Sequence, residues 1–278
     1  MRADIVGSVL SVLARTAGAA VAALTLAGCA ASATASISGE DTLVVGVKAD
    51  QPGLGLVEGG AHKGFEVDVG TYIARKLGAD RVTFRTVTSA DREDQLNDGK
   101  VDLVLASYSI TADRAAKVTF GGPYYVAHQD IMVRRADTRI RTVRDLRGRR
   151  MCQAAGSVST QRVVKGLGVA TELVPSPSYS DCFDKLLAGQ VDAVSTGDLV
   201  LAGFAARGRN AVKIVNAPFT DEPYGVGLRK GDLDGCEGVN KAITRMYQDG
   251  TAARLLHKWF GTTGLNLTES VPEFEGCA

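Results

Sequence analysis

Two stretches of this chain follow the same plan: LNDGKVDLVLASYSITADR at residues 96–114, and LLAGQVDAVSTGDLVL at residues 186–201. In each, a helical pattern closes on a glycine and leads into an apolar run that begins Val-Asp. A glycine in that place is typical of a helix end, and a short apolar run is typical of a buried strand. The repeated unit predicts two similar α/β segments.

The sequence around the two stretches alternates strand and helix patterns. Runs typical of strands are TLVVGVK (42–48), RVTFRTV (81–87) and VDLVLA (101–106), then RMCQAAG (150–156), ATELVPS (170–176) and VDAVST (191–196). Helical patterns lie between them, the first after a Gly-rich turn, and helices from about 236 to 259 finish the chain. Such alternation predicts parallel sheets covered by helices.

Two extended segments connect the halves of the pattern: HQDIMVRR at 128–135 and AVKIVNAPFTDEPYGVGL at 211–228. Two crossings return the C-terminus to the first half. We therefore predict lobe one at 42–128 plus 223–278 and lobe two at 129–222, with a cleft between them. Ligands of open α/β sheets lie beyond the carboxyl ends of the strands, so both repeated strands should point into that cleft.

Composition restricts the class of protein. The chain has 278 residues, of which 45% are hydrophobic, enough for buried cores. The formal net charge is +1 and no basic stripe is visible, which argues against a nucleic-acid partner.

The N-terminus resembles an export signal. Arg2 and Arg15 precede TAGAAVAALTLAG (16–28), an apolar run too short to span a bilayer. The ending LAGC (26–29) resembles the lipobox of bacterial lipoproteins, in which the cysteine is diacylated. We expect a signal peptide at 1–28, an acylated Cys29, a tether at 29–41 and an extracytoplasmic protein anchored to the membrane. A plain signal peptide is the alternative.

Four further cysteines form an even set, which export would place in an oxidising compartment: Cys152, Cys182, Cys236 and Cys277. Sequence allows three pairings. We favour Cys152 with Cys182 and Cys236 with Cys277, because each pair falls within one segment of the pattern. No C-x-x-C or histidine cluster supports a metal site.

Polar residues suited to an anion follow the first repeated strand. Ser107, Ser109 and Thr111 offer hydroxyl groups, and Arg114 follows within one turn. A guanidinium takes a carboxylate through two hydrogen bonds. The alternative for Arg114 is an exposed surface arginine.

Several motifs together resemble the family 3 extracellular solute-binding proteins of polar amino-acid ABC importers, and most nearly the glutamate-binding lipoproteins of high-GC Gram-positive bacteria. They are DQPGLG (50–55), GFEVDVGTYIARKLG (64–78), the first repeat extended through residue 129, GQVDAVSTGDLVLAGF (189–204) and EPYGVGL (222–228). The resemblance covers about residues 42–262. It implies a two-lobe clamshell of the periplasmic-binding-protein type with two hinge strands.

The resemblance also implies roles for individual residues. Arg114 matches the arginine that binds the ligand α-carboxylate, while Ser107 and Ser109 match positions that touch the α-amino and α-carboxylate groups. Ser157 matches a lobe-two contact, with a simple helix cap as the alternative. Tyr179 matches a position that touches ligand in some relatives.

Ligand specificity should depend on Lys48 and Arg92. Lys48 matches a position that is acidic in glutamine binders and cationic in some aspartate and glutamate binders, and Arg92 matches an arginine that reaches a distal carboxylate. Two cations would balance a dicarboxylate. The alternatives are that Lys48 solvates a strand end and Arg92 a helix start.

Two departures from the family pattern concern the rest of the site. Relatives usually carry two aspartates after the second repeat, the first holding the ligand ammonium, where this chain has Gly197 and Asp198. Either Asp198 takes over the contact or the ligand is not an ordinary α-amino acid. Ala49 replaces a frequent aromatic residue, which suggests a looser site.

We therefore expect a monomeric binding protein, with no catalytic residue, metal or cofactor, that captures glutamate, then aspartate, for an ABC permease. Alternatives are a receptor domain that signals amino-acid supply to a membrane partner and a dehydratase-like enzyme on the same fold.

Overall fold

The computed structural model describes residues 35–267 and 269–277 of the chain. The expected signal peptide, Cys29 and the first part of the tether lie outside the described residues. The fold belongs to the compact unit Thr34–Ala278. No helix within the described ranges is both long and apolar enough to cross a bilayer.

The strands include the six expected apolar runs and both extended crossings. They are β1 (Thr42–Val47), β2 (Asp50–Gln51), β3 (Gly55–Glu58), β4 (Ala61–Lys63), β5 (Arg81–Thr86), β6 (Leu103–Leu105), β7 (Val118–Arg134), β8 (Arg150–Ala154), β9 (Glu172–Ser176), β10 (Ala193–Gly197), β11 (Val212–Ile214) and β12 (Thr220–Arg229).

The helices cover the faces of the main sheet or follow its strands. They are α1 (Phe65–Lys76), α2 (Arg92–Asn97), α3 (Ala112–Ala115), α4 (Ser159–Gln161), α5 (Tyr179–Leu187), α6 (Asp198–Arg207), α7 (Leu233–Gln248) and α8 (Thr251–Phe260). A 3-10 turn occupies Val143–Leu146, and a wide π-type turn, Arg162–Gly166, continues α4.

The main sheet has the strand order β5-β1-β6-β12-β7-β10-β8-β9, with β11 also paired to β7. Strands β5, β1 and β6 are parallel, as are β10, β8 and β9. The antiparallel pair β7–β12 joins these two groups, and β7 reaches β10 through Gln129–Val133. The predicted two-lobe α/β fold, connected by two long strands, is confirmed.

The Gly-rich segment after β1 differs from the expected turn. Strands β2, β3 and β4 form a small antiparallel sheet there. Its reversals use Gly53, with φ of 80°, and the pair Gly59 and Gly60, with φ of 60° and 78°. The strands span two to four residues, too few to show an alternating pattern in the sequence.

Both expected disulfides are present. Cys152 on β8 is bonded to Cys182 on α5, and Cys236 on α7 is bonded to Cys277 near the C-terminus. The Cα atoms lie 5.6 and 5.8 Å apart, which is usual for disulfides. The first bond fastens α5 to the sheet, and the second fastens the C-terminal segment to α7.

Removing the first disulfide should lower stability without changing the fold. The bond closes a loop with a sequence separation of 30 residues, so Cys152→Ala/Cys182→Ala should lower the free energy of unfolding by about 3 to 4 kcal/mol on the chain-entropy model. Urea unfolding of the variant and of the reduced and oxidised wild-type protein measures this. A loss below about 1 kcal/mol would contradict the prediction.

Candidate ligand-binding site

A small polar cavity of about 20 Å³ lies where the ends of β6 and β10 approach β12. Its lining includes two guanidinium side chains, those of Arg92 and Arg114, and several hydroxyl groups. Among the described residues that line it, Glu222 is the only acidic one. The others are Ser89, Ser107, Ser109, Ser157, Val158, Ser159, Tyr179, Thr196, Gly197 and Tyr224.

Arg114 connects the two walls of this cavity. The residue is in α3, whose first turn is capped by the Thr111 side chain. Its guanidinium donates to the backbone oxygen of Ser109 at 2.8 Å and to that of Gly156, across the cavity, at 3.1 Å. The side chain is only 6% exposed. The alternative of a solvated surface arginine is therefore excluded.

The loop after β6 holds Ser107 in the left-handed region, with φ of 44°. Buried Glu66 of α1 stabilises this conformation, because its Oε1 accepts hydrogen bonds from the Ser107 backbone N–H (2.5 Å) and the Tyr124 hydroxyl (2.6 Å). The Ser107 hydroxyl donates to Gln51 Oε1 at 3.2 Å. Burial raises the pKa of Glu66, and the two donated hydrogen bonds oppose that change.

Lys48 and Arg92 lie buried beside this loop, with exposures of 5% and 1%. Lys48 Nζ donates to Ser89 Oγ at 2.7 Å. Arg92 donates to the Ala106 carbonyl at 3.0 Å and stacks on the Tyr108 ring, with Cζ 3.8 Å from its centroid. The burial of both residues excludes the solvated alternatives at a strand end or helix start.

A second cavity, of about 190 Å³, is lined by Lys48 and shares Ser89 with the first. Burial, followed by the nearby Arg92 charge, lowers the pKa of Lys48 to about 7. Burial, followed by the Arg114 charge, lowers the pKa of Arg92 to about 10. An anion bound in this region would therefore offset the desolvation cost of the Lys48 and Arg92 charges and reduce the repulsion between them.

Hydroxyl groups form the opposite wall. The Tyr179 hydroxyl is 2.6 Å from Ser157 Oγ and 2.9 Å from Ser159 Oγ. Helix α4 begins at Ser159, and the Ser157 hydroxyl accepts the Ser159 N–H at 3.2 Å, so part of the expected capping role is present. Both expected residues, Ser157 and Tyr179, line the polar cavity.

Asp198 lies just behind the cavity and is not among its lining residues. One carboxylate oxygen accepts the Leu199 N–H at 2.7 Å, and the other accepts the Tyr125 hydroxyl at 3.3 Å. Burial raises the pKa of Asp198 to about 6, opposed by hydrogen bonds from the backbone. The carboxylate is thus engaged by its own helix start and by β7.

Comparison with known proteins shows the family of this chain. Residues 43–262 match the bacterial extracellular solute-binding proteins, family 3. The chain belongs to this family. It is 37% identical to the glutamate-binding protein GluB of Corynebacterium glutamicum, with 92% of this chain and 94% of that one covered. It is 32% identical to the glutamine-binding protein GlnH of Bacillus subtilis, over 81% and 83% of the chains.

Solved structures of similar proteins agree with the two-lobe fold. An ancestral arginine-binding protein bound to arginine has a TM-score of 0.74 and 35% identity, covering 80% of this solute-binding protein and 100% of the ancestral one. An ancestral amino-acid-binding protein described as a precursor of cyclohexadienyl dehydratase has a TM-score of 0.71 and 31% identity, covering 79% and 96%. This chain is thus an amino-acid-binding member of the family.

Sequence reasoning missed several groups in the site of this solute-binding protein. Glu222 and Tyr224 line the cavity from β12, while Glu66 and Gln51 support the Ser107 loop from behind. Residues two apart in a strand face the same side, so the spacing of Glu222 and Tyr224 was a usable signal. Within the described residues, no cluster of potential metal ligands was found.

Replacing Glu66 should destabilise the protein. In Glu66→Leu the Ser107 N–H and the Tyr124 hydroxyl lose their buried acceptor, which should cost at least about 2 kcal/mol in the free energy of unfolding. Urea unfolding measures the change. The matched control is Glu58→Gln, since exposed Glu58 pairs, among the described residues, only with exposed Lys63 and should change stability by less than about 0.5 kcal/mol. Equal effects of both variants would show that the Glu66 hydrogen bonds are unimportant.

Proposed function

We propose that this solute-binding protein captures an acidic amino acid, glutamate ahead of aspartate, for an ABC importer. The observation that carries the proposal is a pair of buried cations in adjoining cavities: Lys48 lines the cavity of about 190 Å³, which is large enough for a side chain, and Arg92 lines the polar cavity next to it. In this proposal Arg114, which lines the adjoining polar cavity, binds the α-carboxylate. The similarity to a glutamate-binding protein supports the same ligand.

The charge of the site favours a dicarboxylate over other ligands bound by similar proteins. A glutamine side chain would bring no negative charge to the buried Lys48 ammonium, and an arginine side chain would add a further cation. A buried charge without a partner costs several kcal/mol, so both ligands should bind more weakly than glutamate. The discrimination comes from the protein cations rather than from cavity shape.

Binding requires the two walls to separate and close. The polar cavity is too small for an amino acid in this conformation, and its walls are in contact through Arg114 and Gly156. We propose that lobe one (42–128 plus 223–278) and lobe two (129–222) rotate about β7 and β12. Ligand contacts made only in the closed state would drive closure and present that state to the permease.

The proposed location is outside the cytoplasm, at the membrane surface, through acylation of Cys29. Two disulfides fit an oxidising compartment. Two or three acyl chains would hold the protein firmly, because each buried CH₂ contributes about 0.8 kcal/mol. We propose a monomer that meets an ABC permease there, without catalysing a reaction.

A panel of amino acids in a thermal-shift assay tests this function. A ligand that binds only the folded protein raises its melting temperature. We expect glutamate to give the largest shift, aspartate a smaller one, and glutamine and arginine little or none at equal concentration. A larger shift with glutamine or arginine would overturn the proposed acidic specificity.

Loss of the Lys48 charge should reduce glutamate binding selectively. Lys48→Met removes the proposed partner of the distal carboxylate, so glutamate affinity should fall at least tenfold, as for loss of a charge-assisted hydrogen bond. Isothermal titration calorimetry measures this. Lys100→Met is the control, because Lys100 is exposed and its ion pair in the described part of the chain is with Asp98. Unchanged glutamate affinity in Lys48→Met would refute the assignment.

Glutamate affinity should depend on pH through Lys48. Its pKa of about 7 in the free protein means that the ammonium is mostly charged at pH 6 and mostly neutral at pH 8.5. A bound carboxylate favours the charged form, so binding above pH 7 takes up a proton. The dissociation constant should rise about tenfold from pH 6 to 8.5. Titrations in buffers of different ionisation enthalpy measure the proton, and Lys48→Met should remove both effects.

A dehydratase is the second candidate, because one similar structure is described as a precursor of cyclohexadienyl dehydratase. That activity needs a general acid in the cavity, and Glu222 is paired there with Arg162 at 2.9 Å. Incubation with prephenate or arogenate, followed by chromatography, tests it. Product formation would favour the enzyme over the binding protein.

A further inference from the structure

The polar cavity carries more positive than negative charge. Two guanidinium groups line it, and Glu222 is the single acid among the described lining residues. An α-amino acid brings an ammonium as well as carboxylates, and that ammonium needs acceptors in a closed cavity. Which group receives the ammonium is a question that rests on the proposed function, since it presupposes an amino-acid ligand.

Position 197, at the end of β10, has no space for an acidic side chain in this conformation. The backbone there has φ of −66° and ψ of 150°, which any residue can adopt. The restriction is spatial instead: a Cβ at Gly197 would lie 2.1 Å from the Tyr224 hydroxyl oxygen and 3.0 Å from Ala127 Cβ. In this conformation the Tyr224 hydroxyl occupies the space that a side chain at position 197 would need.

The backbone on either side of Tyr224 is fixed by hydrogen bonds to the loop after β6. The pairing of β12 with β7 shifts register between Tyr224 and Val226. On either side of Tyr224, the Gly225 N–H donates to the Tyr108 carbonyl at 3.0 Å and the Pro223 carbonyl accepts the Ile110 N–H at 2.8 Å. The Tyr224 hydroxyl lines the cavity side of Gly197 and makes no hydrogen bond to another residue of the described ranges.

Glu222 faces the same side of β12, two residues before Tyr224. It is 3% exposed. Its Oε1 accepts hydrogen bonds from Arg162 Nε at 2.9 Å and Thr220 Oγ1 at 3.2 Å, and its Oε2 accepts one from Arg162 Nη2 at 3.4 Å. The Arg162 side chain is 38% exposed, so solvent screens part of its charge. Glu222 thus keeps acceptor capacity towards the cavity.

The Glu222 charge also acts on the carboxylate-binding arginine. Burial lowers the pKa of Arg114, and the negative charge of Glu222 is among the groups that oppose this change. The carboxylate of Glu222 and the guanidinium of Arg114 therefore lie within electrostatic reach of each other. That arrangement matches the two charged ends of an α-amino acid.

We propose that Glu222 and Tyr224 of β12 receive the ammonium group of the amino-acid ligand, in place of an acid at the end of β10. Gly197 leaves room for the Tyr224 hydroxyl, which accepts a hydrogen bond from the ammonium, while Glu222 supplies the negative charge. Since β12 is one of the two strands that connect the lobes, the contact places the ammonium at the hinge.

Calorimetry with glutamate tests the assignment. Glu222→Gln should weaken binding tenfold to a hundredfold and Tyr224→Phe threefold to tenfold, as for loss of a charged and a neutral hydrogen bond. The matched control is Asp221→Asn, an exposed acid on the same strand, which should change affinity less than twofold. If Asp198→Asn weakens binding more than Glu222→Gln does, the proposal is wrong.

Two further measurements distinguish a direct contact between Glu222 and the ligand from a structural role of Glu222. Arg162→Gln breaks the Arg162–Glu222 pair but should leave glutamate affinity unchanged or higher, because it frees the carboxylate. A loss equal to that of Glu222→Gln would assign Glu222 a structural role and overturn the proposal. Glutarate is glutamate without the ammonium, so Glu222→Gln should narrow the preference for glutamate over glutarate at least tenfold. An unchanged ratio would also overturn the proposal.

The steric link between positions 197 and 224 gives an independent test. Gly197→Asp alone should weaken binding, because the new side chain collides with Tyr224. In Gly197→Asp/Tyr224→Ala the aspartate has room, so glutamate affinity should exceed that of Tyr224→Ala by at least fivefold. If the double variant binds glutamate no more tightly than Tyr224→Ala does, the inference that the ammonium lies between positions 197 and 224 is wrong.

The outcomes distinguish the ammonium contact from the proposed function. If the wild-type protein does not bind glutamate but binds glutamine or arginine, the proposed acidic specificity is wrong. The same variants then test the ammonium contact with the amino acid that does bind. If no amino acid binds, both are wrong. If glutamate binds and Glu222→Gln binds equally well, only the ammonium assignment fails.

Discussion

The arrangement of the site depends on the buried guanidinium of Arg114. It donates to the Ser109 carbonyl on one wall and to the Gly156 carbonyl on the other, so a single charge connects both sides of the cleft. A buried cation must be satisfied by acceptors, and here those acceptors come from the loop after β6 and the loop after β8. In this conformation, contact between the two walls therefore supplies one of the hydrogen bonds that satisfy the charge.

The rest of the site is organised around the cost of burying positive charge. Lys48, Arg92 and Arg114 are all nearly inaccessible, and each has a pKa lowered by burial. The protein offsets part of this cost with carbonyl acceptors, the Tyr108 ring and the carboxylates of Glu66 and Glu222. In the proposed function, a ligand with two carboxylates would supply the remaining negative charge, and this would be the physical basis of the proposed acidic specificity.

The two long strands, β7 and β12, have more than a connecting role. They join both groups of parallel strands, and Tyr224 of β12 lies with its hydroxyl against Gly197 at the end of β10. The same pair of strands brings Glu222 to the cavity and Tyr125 to Asp198. The strands about which the lobes are proposed to rotate therefore also carry polar groups of the site.

The sequence by itself determined the repeated helix-to-strand unit and the two-lobe α/β fold, and it favoured the cysteine pairing that the structure has. It also indicated six of the thirteen residues that line the polar cavity, among them Arg114, Ser107 and Arg92. These follow from short-range patterns and family motifs. Tertiary structure alone decided that Asp198 turns to Tyr125 and that Glu66 supports Ser107. The spacing of Glu222 and Tyr224 indicates that they share one face of β12, and tertiary structure decided that this face meets the cavity. Such contacts join residues 41 to 73 positions apart, and no local pattern encodes which distant side chains share one space.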